Sequence, residues 1–409
     1  VAAGTLSAEV TLTGVSGTPS MLVILGEYPR ISAGSFLGGL GGSIAVGGAQ
    51  ASGAGGYAQG STLATLTNPA AGLYTIAIAS GAANADATLS VVANVPQAFD
   101  FANGSTAISN QAAGTFRYFV VDVPNDAALL GWDLRTINAT GAIAVQMRRG
   151  SPPANDGQVN FVAGTYWTHP YTSAGAGDHN RYSYVPVTQG APAAGSGIVA
   201  VYPGTYYIGV QNTGASVVSY TLQSRGIGTA ASSYPIKSQT VGFANGTATI
   251  TGLAAREAAF YTVTVPSGVK TWSLKAVPTA GEVSLAIRRN LIPTQEAVTF
   301  SHSVEGPYLG YFQNNAGAEY YYEGKANAAD AVNLAPGTYH VAVISAGTAP
   351  SSAGNIGTGT ASAVLSSVGE MPVTALAAGA PISGTAQTQA VSLLRGEIKL
   401  YSFNVAAGT

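Results

Sequence analysis

Histidine, serine and acidic residues are where chemistry would begin, and their spacing here is uninformative for catalysis. The four histidines, His169, His179, His302 and His340, form no His-Glu-x-x-His pair on which a metal hydrolase would be built. His340 stands where the parallel stretch Pro203–Val210 has Tyr207, so it reads as a strand residue, and Asp178-His179 reads as part of a surface loop. No Gly-x-Ser-x-Gly elbow and no phosphate-binding Walker loop occur. Gly226-Ile-Gly-Thr-Ala-Ala231 matches a dinucleotide loop only in a variant form, with no helical pattern after it. A calcium site wants six to eight oxygens, several of them carboxylates. The chain has no cysteine, which removes disulfides, thiolate metal sites and cysteine nucleophiles. The sequence therefore predicts no catalytic residue, no metal and no cofactor. Asn103, Asn138 and Asn245 begin Asn-x-Ser/Thr patterns and are candidate glycosylation sites.

The 409 residues suffice for about three domains. Charged residues are only 8%, against about 25% in ordinary globular chains, and the net charge is −2. No basic field exists to attract nucleic acid. Hydrophobic residues at 46% provide a core that disordered chains lack. Apolar runs are short and broken, so no membrane-spanning segment is predicted. With 53 glycines, 20 prolines and no sustained helical period, the chain reads as all-β. Its charge-poor, Ala/Gly/Ser/Thr-rich style points to an extracellular or cell-surface protein.

Internal repetition organises these strands. Phe101-Ala-Asn-Gly-Ser105 returns 142 residues later as Phe243-Ala-Asn-Gly-Thr247. Behind it, Arg117–Pro124 matches Ala259–Pro266, Gly131-Trp-Asp-Leu-Arg135 matches Thr271-Trp-Ser-Leu-Lys275, and Ala142–Arg149 matches Glu282–Arg289. Pro203-Gly-Thr-Tyr-Tyr-Ile-Gly-Val210 matches Pro336-Gly-Thr-Tyr-His-Val-Ala-Val343. Residues 98–226 and 241–370 are read as two complete copies, joined by a short extended connector at 227–240. Residues 1–97 form a copy without its opening strands, and 371–409 carry the opening strands of another. The architecture expected is a linear array of tandem antiparallel β-sandwiches of jelly-roll or immunoglobulin-like type, with less than a tenth helix. Trp132, Trp272, Tyr206 and Tyr339 are the expected core anchors.

The order of these elements resembles the bacterial pre-peptidase C-terminal domain, a small β-sandwich of secreted proteases and large surface proteins. The carrying residues are Tyr118–Pro124, Trp132–Leu134, Val145–Pro153 and Pro203–Val210 with Ser219–Leu222. In the second copy they are Tyr261–Pro266, Trp272–Leu274, Leu285–Pro293 and Pro336–Val343. The resemblance implies secretion and tandem use. Where the family often has an acidic stretch able to hold calcium, this chain reads Thr140-Gly-Ala-Ile-Ala144 and Ala280-Gly-Glu-Val-Ser284, so no calcium site is carried over.

Insertions before the Pro-Gly strand are rich in aromatic residues: Tyr166, Trp167 and Tyr171 in one copy, Tyr308, Tyr311 and Tyr321 in the other. These are candidates for packing, within or between chains, or for glycan contact. Val1-Ala-Ala-Gly-Thr5 and Val405-Ala-Ala-Gly-Thr409 are identical and fall at one point of the repeat. The expectation is that residues 375–405 of one copy complete residues 1–97 of the next, head to tail. The junction would be covalent within a longer chain, which the identical ends favour, or a strand exchange. Two functions follow from the sequence: a structural segment of a bacterial filament or surface array, and an accessory glycan- or polymer-binding tail of a secreted hydrolase.

Overall fold

In a computed structural model of the protein, the described residues are 1–3, 5–26, 57–60, 63–67, 69–80, 84–150, 152–153, 166–168, 179–184, 201–255, 257–293, 311–313, 315–324, 334–347, 359–376, 381–382 and 386–405. Among them the regular structure is strand, and no α-helix is present. The chain divides into two compact units, Val1–Ala127 with Trp132–Arg181 and Thr188–Gly226, and Ala128–Gly131 with Tyr182–Val187 and Ile227–Thr409.

The first repeat contributes β1 (Ser7–Thr13), β2 (Pro19–Leu25), β3 (Tyr57–Gly60), β4 (Leu63–Thr67), β5 (Tyr74–Ser80) and β6 (Thr88–Asn94). The second contributes β7 (Gln97–Ala98), β8 (Asn103–Gln111), β9 (Phe116–Val123), β10 (Leu129–Ile137), β11 (Ile143–Arg149), β12 (Tyr166–Thr168), β13 (His179–Tyr184), β14 (Gly204–Asn212) and β15 (Val218–Thr229). In the third lie β16 (Ile236–Thr240), β17 (Gly246–Leu253), β18 (Ala258–Val265), β19 (Thr271–Ala280), β20 (Glu282–Arg289), β21 (Tyr311–Gln313), β22 (Glu319–Gly324), β23 (Gly337–Gly347) and β24 (Ala361–Gly369). The tail holds β25 (Val373–Ala375), β26 (Pro381–Ile382), β27 (Leu400–Ser402) and β28 (Asn404–Val405).

The third module is a sandwich of two four-stranded antiparallel sheets. One runs β17-β24-β19-β22 and the other β18-β23-β20-β21. Alternation of buried and half-buried residues along β22 and β24 turns one face of each strand inward. Trp272 is fully buried between the sheets, with Tyr339 and Tyr321 edge-on at 5.1 and 5.2 Å. The second module repeats the plan: β8-β15-β10-β13 faces β12-β11-β14-β9, with Trp132 against Tyr206 at 5.8 Å.

Each indole is tied to the same relay. Trp132 Nε1 donates to Ser224 Oγ at 2.7 Å, which donates to the Phe101 carbonyl at 2.7 Å. Trp272 Nε1 donates to Ser367 Oγ at 2.9 Å, which donates to the Phe243 carbonyl at 2.6 Å. Phe101 and Phe243 open the repeated Phe-Ala-Asn-Gly motif, so the relay pins the opening strand to the core. Replacing Ser224 or Ser367 by alanine leaves an indole N–H and a carbonyl buried without that partner. A loss of about 1–3 kcal/mol in urea unfolding is expected for each.

The connector is itself paired. Ile227, Gly228 and Thr229 at the end of β15 lie parallel to Ile236, Lys237 and Ser238, and Gln239–Thr240 then pair in parallel with Tyr261–Thr262. β7 enters the second module the same way, Gln97–Ala98 against Phe119–Val120.

Candidate functional site: an open sheet edge and a strand donor

The turn before each Pro-Gly strand shows how the repeat is held. Gly204 and Gly337 take φ of 133° and 138°, which side-chain-bearing residues avoid. Arg149 and Arg289, the second arginines of the paired Arg-Arg motifs, donate from Nη2 to the carbonyls of Pro203 and Pro336. Those arginines are therefore turn clamps. In the first repeat Leu25 takes that place, opposite Tyr74 as Arg149 is opposite Tyr206.

Strand for strand, β1–β6 of the first repeat match β10–β15 of the second and β19–β24 of the third. Its sheets are β4-β1-β6 and β3-β2-β5, three strands each where the complete modules have four. The strands without a counterpart are those equivalent to β8 and β9. In the complete modules β9 pairs with β14 and β18 with β23, so the equivalent flank here is β5. Likewise β8 pairs with β15 and β17 with β24, so the other open flank is β6.

The missing pair leaves core positions in water. Ile78 on β5 is 45% exposed, whereas its equivalents Val210 and Val343 are 0%. On β6, Leu89 shares a face with the buried Leu12 opposite it, yet is 43% exposed; its equivalents Leu222 and Leu365 are 0%. The remaining core, Val10, Leu12, Met21 and Val23 among others, is closed. One point of the absent strand is occupied. Val1 exchanges backbone hydrogen bonds with Gly72, at 2.7 and 3.0 Å, where Val123 pairs with Gly204 and Val265 with Gly337.

The tail shows the reverse defect. Its strands form two short parallel pairs, β25 with β27 and β26 with β28. Val391, Leu393, Leu394, Ile398 and Phe403 are 44–67% exposed. By sequence, Ile398–Val405 aligns with Ala258–Val265, and the apolar residues Ile398, Leu400, Tyr401 and Phe403 fall on positions buried in β18.

Glu9, Asp133, Glu319 and Glu323 are carboxylates buried among the described residues. Glu9 on β1 is surrounded by Tyr118 and Asn94 side chains and the Phe116 backbone, and burial pushes its pKa up to about 7. Glu319 on β22 accepts from Asn315 N and Nδ2, and burial likewise raises it to about 7. His340, on β23 opposite Thr262 and Arg288, is pushed down to about 4 by burial. None of these gathers into a metal-binding group: among the described residues no cluster of three or more His, Asp or Glu could hold an ion.

Trp132, Trp272, Tyr206 and Tyr339 are all at 0% exposure. Of the readings open for Tyr321, packing within the chain is the one seen. It lies on β22, 1% exposed against Trp272, and offers no surface to a glycan or a partner. Tyr166 and Trp167 lie on β12 and Tyr311 on β21, each paired to the strand of its Arg-Arg motif. Tyr171 and Tyr308, with His169 and His302, fall outside the described residues. Asn103, Asn138 and Asn245 are exposed, the last two with positive φ of 56° and 54°.

No protein-family model matches the chain, and no curated protein matches it. Among solved structures, tripeptidyl peptidase 2 aligns at 8% identity over 86% of this chain, which spans 29% of that protein, with a TM-score of 0.19. The CUB1-EGF-CUB2 region of human MASP-1/3 aligns at 6% identity over 65% of this chain and 99% of that one, TM-score 0.15. A protein of Eubacterium rectale aligns at 12% identity over 62% of this chain and 68% of that one, TM-score 0.16. At such scores none bears on function. No helix among the described residues is long and apolar enough to cross a membrane.

Proposed function

We propose that the chain is a structural segment of an extracellular bacterial filament or surface array, built head to tail from repeated β-sandwiches of the pre-peptidase C-terminal type. One observation carries the reading: a module short of one strand in each sheet coexists with a tail whose large apolar side chains stand exposed. Open sheet edges with exposed core residues are a liability that proteins cover or use for assembly. A contact of this kind joins different surfaces of two copies, and such contacts extend into open filaments when rotation does not close a ring.

Sedimentation velocity over a hundredfold concentration range tests it. The 409-residue chain is expected to form a concentration-dependent series of oligomers. Phe403→Asp, which puts a charge at a position buried in the complete modules, is expected to return it to monomer with unchanged strand content by circular dichroism. A wild-type monomer at every concentration, with β5, β6 and the tail all protected from hydrogen exchange, would overturn the proposal.

A further inference from the structure

The geometry points to a specific register for that junction, resting on the head-to-tail reading: Ile398–Asn404 of one copy adds antiparallel to β5 of a second copy, opposite Leu73–Ala79. Two independent templates give the same answer. In the third module Thr262 lies opposite His340 and Val263 opposite Tyr339. In the second, Val120 lies opposite Tyr207 and Val121 opposite Tyr206. Carried onto the first module and the tail by the repeat, both place Ser402 opposite Thr75, Phe403 opposite Tyr74 and Lys399 opposite Ile78.

The fit extends beyond register. In this arrangement Phe403 enters the position of Val121 and Val263, both 0% exposed at their sites, while it is 57% exposed on the tail. Ile398 takes the place of Phe116 and Ala258, which are 4% and 6% exposed, against its own 44%. Ile78 is covered at the same time. Asn404 then stops beside Leu73, immediately before Gly72, whose backbone is already bonded to Val1. The donated strand and Val1 thus lie end to end along one ladder without overlap. Residues 386–392, just upstream, are of the kind that runs beside β15 and β24 in the complete modules, and here they serve β6. Recognition is by main-chain hydrogen bonds with side chains seated on alternate positions, which is strand addition at a sheet edge.

The absence of cysteine makes the register measurable, since any disulfide formed is the one introduced. Residues directly opposite in an antiparallel pair have Cα atoms about 4.5–5.5 Å apart, within disulfide reach, whereas three residues out of register exceeds the ~7 Å limit. Thr75→Cys and Ser402→Cys, made as separate single variants and mixed under mild oxidation, are expected to give a band at twice the 40.8 kDa chain mass. Combined in one chain, they are expected to give a ladder of multiples. Mixing Thr75→Cys with Lys399→Cys should yield about fivefold less cross-link or none. A 75–402 disulfide confined within single chains would overturn the inference, because the tail would then close on its own first module. Oligomers by sedimentation without the 75–402 cross-link would overturn the register while leaving head-to-tail assembly standing. Variants that stay monomeric, as wild type does too, would remove both.

Discussion

Trp272→Ala is expected to unfold the third module at markedly lower urea concentration, with a loss of about 3–5 kcal/mol. The indole is fully buried and meets Tyr321, Tyr339 and Phe243 at ring distances of 5.2, 5.1 and 6.4 Å. It touches strands of both sheets, so its removal leaves a cavity that neither sheet can collapse into alone. Its N–H also holds Ser367, and Ser367 holds the opening motif at Phe243. Trp132→Ala is expected to cost the second module a similar amount, through Phe101 at 5.4 Å and Tyr206 at 5.8 Å. Trp272→Phe should recover most of the apolar burial and lose chiefly the hydrogen bond, about 1–3 kcal/mol in all. Urea titrations of the three variants, followed by tryptophan fluorescence and circular dichroism together, decide it. A loss below about 1 kcal/mol for either alanine variant would contradict the described core.

The second large effect is on pH. Glu9 has a folded pKa of about 7 against an ordinary 4.5, because burial disfavours its charge. Between these values the folded carboxyl keeps a proton that the unfolded chain has released. The folded state binds more protons there, so stability is full below about pH 4.5, falls as pH rises, and is lowest above about pH 7. The amplitude is about 3 kcal/mol. Glu319 adds an equal slope in the third module. His340 opposes it: held near 4, it stays neutral in the folded state while the unfolded imidazole takes a proton below about 6.5, so its share is lost as pH falls. Glu319 and His340 share the third module, whose dependence on pH should be nearly flat. The first module has Glu9 alone of these groups. Hydrogen-exchange protection of the β1 amides, corrected for the intrinsic effect of pH, should fall between pH 5 and 7.5. Glu9→Gln should abolish that fall. Unchanged pH dependence in Glu9→Gln would show that the carboxyl is ionised in the folded protein.

The repeat made much of the fold legible. Two tryptophans in one motif order placed both sandwich cores, because a large side chain at a repeated position has few places to go but inward. Ser224 and Ser367 were invisible, since serine is common here and its partner indole lies 92 or 95 residues away. The Arg-Arg motifs were visible as matches but not as clamps, because the carbonyls they hold lie beyond long insertions. Tyr321 did not stand out as a core residue for a physical reason. In Glu-Tyr-Tyr-Tyr-Glu the inward positions are Glu319, Tyr321 and Glu323, so polar residues occupy the core face and hide the period of two. The open edge was foreshadowed by counting strands across the copies; the extent of exposed core on β5 and β6 required the structure.

The parallel pairing at the connector bears on tension. When a chain of such modules is drawn taut, β16 is pulled along its own axis from its leading end, against Ile227–Thr229 on one side and Tyr261–Thr262 on the other. Pulled lengthwise, hydrogen bonds lying across the strand share the load together instead of parting singly from one end. β7, laid in parallel against Phe119–Val120, meets the same geometry at the entry to the second module. The second and third modules therefore each begin with a shear-loaded latch, and a stretched chain of them would bear its load at these junctions.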